Sequence, residues 1–163
     1  MHRLVARVVR DRLQIAGSLA TVLVSTVQAL TPLRIAEEQA WARRAQGGQL
    51  VAHALTIWNI ALNHSSYSDP LLPEQLAHCA EMANWAVGHL TITADLSRAA
   101  HIGAQVLSDC QRVLGADHPC TLISRNNLAT AYASAGRLAE AIPLYEQTLT
   151  DPGRVLGAEH PTP

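Results

Sequence analysis

The chain contains no phenylalanine, and only 4% of its residues are aromatic. A core with so few rings must be filled by aliphatic and small side chains. Hydrophobic residues make up 48% of the chain, with alanine and leucine abundant. That balance favours an all-helical bundle or solenoid. Charge is also scarce, at 15% with a formal net charge of −1. The arginines are spread along the chain and form no basic stripe beside aromatics, so no nucleic-acid partner is expected. The three cysteines, Cys79, Cys110 and Cys120, are odd in number and show no C-x-x-C spacing. Neither a disulfide framework nor a zinc site is suggested; small buried thiols in a reducing, cytoplasmic setting are expected.

Several signatures of chemistry are missing as well. There is no G-x-x-x-x-G-K-[ST] phosphate loop and no G-x-S-x-G elbow. The eight histidines include no H-x-x-x-H pair to place two ligands on one helix face. His78, His89 and His101 fall on different helices and are expected on the surface or in a groove. Cys120 lies close to His118, but a nucleophile and base also need a third, orienting group. A turn role is expected for His118 and His160. No catalytic residue, metal or cofactor is therefore assigned.

What the chain does have is a repeat. Val113-Leu114-Gly115-Ala116-Asp117-His118-Pro119 returns 42 residues later as Val155-Leu156-Gly157-Ala158-Glu159-His160-Pro161. A fixed period of this size marks a solenoid of stacked supersecondary units. Gly115 suits the left-handed residue that ends a helix. Asp117, His118 and Pro119 then offer a cap and a proline for the next helix. Leu122, Leu128, Ala129 and Tyr132 recur at helical spacing over residues 121–135. Gly136 breaks the run. A second helix carries Leu138, Ala141, Ile142, Tyr145 and Leu149 on one face. The small residues Ala129 and Ala141 allow the two antiparallel helices to approach closely, with Tyr132 and Tyr145 beside the contact.

The pattern Leu128-Ala129-x2-Tyr132-x3-Gly136-x4-Ala141-x3-Tyr145 resembles the tetratricopeptide repeat (TPR). The Leu-Gly-x-(Asp/Glu)-His-Pro phrase, the run Asn126-Asn127-Leu128-Ala129 and the long period resemble the kinesin-light-chain type found in actinobacterial regulators. About 50 residues carry this resemblance strongly. It implies an all-α fold: antiparallel helical hairpins stacked as a short TPR-like right-handed solenoid. Thr148 stands where the family usually has alanine and is expected to loosen the packing of a following repeat. The same 42-residue offset maps Asn126 to Asn84, Leu128 to Ala86, Tyr132 to Leu90, Gly136 to Ala94, Ala141 to Ala99, Tyr145 to Gly103 and Leu149 to Leu107. A worn repeat is thus expected at residues 71–115, with Asp95 capping its second helix. The clear repeat spans residues 116–157, and residues 158–163 begin another. With no full repeat following, the face bearing Leu138, Ile142, Tyr145 and Leu149 is expected to stay open and to favour self-association.

Residues 1–70 are expected to form an N-terminal helical segment packed on the array. Leu4, Val5, Val8 and Val9 share one helical face opposite Arg3, Arg7 and Arg10. His2-Arg3-Leu4-Val5 with Arg10-Asp11 is similar to the junction that follows the NB-ARC ATPase in actinobacterial NB-ARC–TPR proteins. Residues 13–33 carry no charge and read as a buried helix ending at Thr31-Pro32. A membrane or export segment over residues 13–30 is the alternative, because about 18 apolar residues would span a bilayer. Residues 34–63, with Ile35, Trp41, Leu50, Ala54, Ile57, Trp58 and Leu62 as apolar positions, read as one long helix or two hinged at Gly47-Gly48. Residues 64–70 read as a loop. Pro73 starts a helix to about Thr93.

In a TPR hairpin the first helix lines the groove. The spacing places Ile123, Asn126, Thr130, Ala133 and Ser134 on that face, with Asn127 at its edge. An amide both donates and accepts, so an asparagine can pair with an extended peptide backbone. The resemblance carries that role to Asn126 or Asn127, with Asn84 as the counterpart in the worn repeat. Local capping and inter-repeat hydrogen bonding is the competing role for all three. The expected function is a non-catalytic scaffold that binds a protein or peptide. Two alternatives stay open: a detached C-terminal sensor part of an NB-ARC-type signalling ATPase, and a membrane-anchored or exported TPR protein.

Overall fold

The computed structural model describes residues 19–64 and 71–150, all helices and turns. Six α-helices follow in order: α1 (Leu19–Leu30), α2 (Arg44–His64), α3 (Pro73–Ile92), α4 (Leu96–Val113), α5 (Pro119–Ser134) and α6 (Leu138–Thr150). Two single 3₁₀ turns, Thr31–Leu33 and Glu37–Gln39, lie between α1 and α2. The amphipathic face expected at residues 4–10, the loop at 65–70 and the second copy of the repeat phrase lie outside the described residues. None of the described helices is long and apolar enough to cross a membrane.

Helix α3 is the axis of the fold. It packs against α1, α2, α4 and α5, and ten of its residues are buried, from Leu76 to Leu90. Ala80, Ala83 and Ala86 are fully covered. Their lack of bulk lets neighbours approach on several sides at once. Pro73 occupies the first turn of α3, where its missing N–H costs nothing. The Leu72 N–H donates to Gln75 Oε1 at 2.9 Å and closes the same end. Leu23 from α1 and Val51, Ile57 and Trp58 from α2 complete the core around it. Full burial of a side chain such as Leu23 or Ile57 is worth about 1.5–3 kcal/mol.

Helix α1 explains how an uncharged run can carry so many hydroxyls. Ser25, Thr26 and Thr31 donate back to the carbonyls of Thr21, Val22 and Val27, at 2.6, 2.7 and 2.8 Å. The hydroxyls are thereby satisfied within the helix, while Val22, Leu23 and Val27 are buried.

Helices α3/α4 and α5/α6 form two hairpins related by the 42-residue offset. In the second, Gly136 has φ +75°, and the Arg137 N–H reaches back to Tyr132 O at 2.9 Å. In the first, Ala94 has φ +60°, and the Asp95 N–H reaches Leu90 O at 2.9 Å. The worn repeat keeps the turn without its glycine. The missing ring at Gly103 is also compensated. A Cβ there would meet Leu128 Cδ1 and Val87 Cγ1, each at 3.3 Å, so α4 rides close to α3 and α5 where a tyrosine would hold it off. The α4–α5 turn follows the expected phrase, with Gly115 at φ +97°. The cap there is His118, whose Nδ1 accepts from the Cys120 N–H at 3.1 Å, rather than Asp117.

Three expectations need correction. Asp95 occupies the N-cap position of α4 but makes no side-chain capping bond; its carboxylate faces Arg98 at 3.9 Å instead. Gly47-Gly48 is no hinge: α2 begins at Arg44 and runs through both glycines. A Cβ on Gly47 would sit 2.0 Å from His89 Nε2, so the residue serves close approach to α3. Trp41 is no core position; it lies in the turn before α2 and is 54% exposed.

Candidate functional site

The first helices of the two hairpins, α3 and α5, pack side by side. A polar seam joins them at the buried end of the groove face. Asn84 Nδ2 donates to Cys120 O at 3.1 Å. The Ser124 hydroxyl lies 2.8 Å from both Asn84 Oδ1 and Cys120 O, and with one proton it donates to one of them at a time. Asn127 Nδ2 donates to Asn84 O at 3.1 Å. Asn84 is only 4% exposed. Its amide is engaged on both sides, by Cys120 O and by the Ser124 hydroxyl of α5.

Above this seam lies a pocket of about 530 Å³. Its floor is α3 (Glu81, Asn84, Trp85, Gly88, His89, Ile92), its far wall is Ile123 and Asn127 of α5, and its near wall is residues 34–37 and Ala40. Of the residues singled out in the sequence, Asn84, Ile123 and Asn127 therefore meet here. Asn126, Thr130 and Ser134 continue the same face of α5, all exposed. The Thr130 hydroxyl is 2.9 Å from Asn126 O and 3.2 Å from Tyr145 OH, which ties the groove face to α6. Leu128, Ala129 and Ala141 are buried, between α5 and its neighbours. Arg137 lies over the Tyr132 ring at 4.3 Å.

The α3 wall was missed from the sequence, although a signal existed. Stepping back 42 residues from Ile123, Asn127, Thr130 and Ser134 gives Glu81, Trp85, Gly88 and Ile92, all four of which line the pocket. Of the groove positions, only Asn126 is mapped across from the sequence, to Asn84. The contribution of residues 34–40 had no such signal, because it depends on a tertiary approach.

The electrostatics are mixed. Arg34, Glu37 and Glu81 stand at the rim. His89, expected on the surface or in a groove, is only 4% exposed. Its ring stacks on Trp85 with centroids 5.2 Å apart, and its buried Nε2 has no hydrogen-bond partner among the described residues. Burial lowers its pKa below the ordinary imidazole value. The three thiols are free and buried. Burial pushes Cys79 up to about 12 and, with the nearby Glu81 and Cys110, pushes Cys120 up to about 11. Such thiols are poor nucleophiles and poor metal ligands at neutral pH. No group of three or more His, Cys, Asp or Glu suited to a metal occurs among the described residues.

The face therefore offers a trough with apolar and aromatic walls, amides and hydroxyls along α5, and charges at the rim. No curated protein and no solved structure matches the chain. Residues 79–150, from within α3 to the end of α6, match the sequence profile of the family described as Tetratricopeptide repeat.

Proposed function

We propose that the chain is a non-catalytic scaffold module that binds an extended protein segment along the face shared by α3 and α5. Tetratricopeptide repeats are in general protein-interaction scaffolds. The observation that carries the reading is the pocket between α3 and α5. An aromatic ring (Trp85) and two isoleucines (Ile92 and Ile123) lie there beside the Asn127 amide. An apolar anchor of the partner enters the pocket, while its backbone runs past Asn126, Thr130 and Ser134. Rings and aliphatic walls supply affinity by desolvation, and the amides fix the path of the chain. The repeat phrase and the asparagine run support the kinesin-light-chain-like type within the family.

Selection from a random peptide library, followed by titration of the chosen peptides, tests this. Peptides selected on the native chain should lose at least roughly tenfold in affinity when Ile123→Arg or Trp85→Ala is introduced, each change removing an anchor contact of about 1.4 kcal/mol or more. Unchanged affinity in both variants would place the binding elsewhere and defeat the proposal.

A further inference from the structure

The pocket on α3 is rich in acceptors and poor in donors. Glu37 and Glu81 both line it, and both are exposed. Neither makes an ion pair among the described residues, where Asp95, Asp109 and Glu140 each face an arginine. Asn127 donates its Nδ2 to Asn84 O at 3.1 Å, which leaves its Oδ1 to accept. Trp85 is half-buried, and its ring is backed by His89 with the planes 27° apart. Among the described residues one cation, Arg34, lines the pocket, and its Nε donates to Thr31 O at 3.3 Å. His89 adds no charge near neutral pH, because burial lowers its pKa.

Two carboxylates, an amide oxygen and an indole ring share one cavity with the aliphatic side chains Ile35, Ile92 and Ile123. Such a lining complements a cation on an aliphatic stem. The face of an indole attracts a cation through its quadrupole, more strongly where water is partly excluded. A guanidinium suits the set better than an ammonium. It is planar and weakly hydrated, so it stacks on a ring while the N–H groups at its edge reach carboxylate and amide oxygens. Farther along α5 the face shows Asn126, Thr130 and Ser134, none of them charged. The sign of the preferred partner is therefore set at the pocket.

We infer that the partner segment carries an arginine beside its apolar anchor, and that Glu37, Glu81, Trp85 and Asn127 read it. This rests on the groove reading above and adds the partner's charge. The guanidinium lies over the pocket side of the Trp85 ring, and its aliphatic stem lies against the isoleucines. Because both carboxylates are exposed, they act on the choice of partner and on the association rate more than on affinity. The attraction is screened by salt. A segment with an acidic residue at the same place meets like charge and is rejected.

The test uses peptides selected on the full chain from a random library, resynthesised with each arginine replaced by citrulline, its uncharged isostere. The selected peptides should carry an arginine, and the citrulline form should bind the native chain roughly tenfold more weakly. In the Glu37→Gln, Glu81→Gln double variant the same replacement should cost about threefold or less, since the charges it answers to are gone. Raising the salt to about 0.5 M should shrink the loss on the native chain in the same way. Glu38→Gln, at an exposed position outside the pocket lining, should behave as the native chain. If circular dichroism shows the double variant to be misfolded, Glu81→Gln alone serves in its place. Selected peptides without arginine, or an equal citrulline loss on native and double-variant chains, overturn the inference. The groove reading is judged separately. If the peptides respond to Ile123→Arg or Trp85→Ala but not to citrulline, the groove stands and the arginine does not.

Discussion

Ala94 and Gly136 occupy equivalent turns with φ +60° and +75°, and only the second has the residue that this backbone region favours. A Cβ in the left-handed region costs about 1–2 kcal/mol, offset in part by the greater chain entropy glycine loses on folding. Ala94→Gly should therefore stabilise the chain by about 0.5–1 kcal/mol, and Gly136→Ala should destabilise it by a similar amount. Chemical denaturation of the two variants checks the pair; equal signs would contradict the shared turn. The thiols give a second test at this scale. Folding raises the pKa of Cys79 and Cys120 from an ordinary value near 9.0 to about 12 and about 11. A raised pKa means the fold favours the protonated thiol. Its contribution is complete below pH 9 and declines as pH rises through 11 toward 12. The urea midpoint should fall across that range, and a thiol reagent at pH 7.5 should label the native chain far more slowly than the unfolded one.

At the scale of elements, the α5/α6 hairpin was legible because its determinants are local. Gly115 and Gly136 punctuate the helices, Pro119 starts one, and Ala129 and Ala141 mark small positions at helical spacing. Both alanines are buried, at 0% and 1% exposure. Ala141→Leu should overpack their contact and cost about 1–3 kcal/mol; an unshifted melting midpoint would contradict the packing described for α5 and α6. The region from 34 to 48 was misread for the opposite reason. Glycine's helix-breaking propensity left a hinge at Gly47-Gly48 open beside one continuous helix, and the helix is continuous there. The role of Gly47 is set by a side chain 42 positions away in sequence, His89, which leaves no room for a Cβ. Trp41 and Ile35 share an apolar character, yet one is exposed and the other buried. No periodicity separates them, since this stretch has no regular helix to impose one. Of the pocket lining, Ile123 and Asn127 on α5 follow from helical spacing, whereas Glu81, Trp85, Gly88 and Ile92 on α3 need the repeat offset applied position by position. Thr148, expected to loosen packing, donates to Leu144 O at 2.8 Å, so its hydroxyl is satisfied within α6.

For the whole molecule, two questions remain joined, what binds and where. Leu138 and Ile142 on α6 are 57% and 52% exposed, an apolar face of the kind that mediates association. We expect the chain to self-associate through it. Light scattering across a dilution series should show mass rising with concentration, and the Leu138→Ser, Ile142→Ser double variant should shift that rise to higher concentration. A monodisperse monomer throughout would remove this face from consideration. The central claim, however, concerns the face of α3 and α5. Hydrogen exchange of the full chain, with and without a saturating library-selected peptide, tests it most directly. The account predicts slowed exchange in α3 and α5 around Trp85 and Asn127. Slowing confined to α4 or the outer face of α6, with α3 and α5 unchanged, would contradict it.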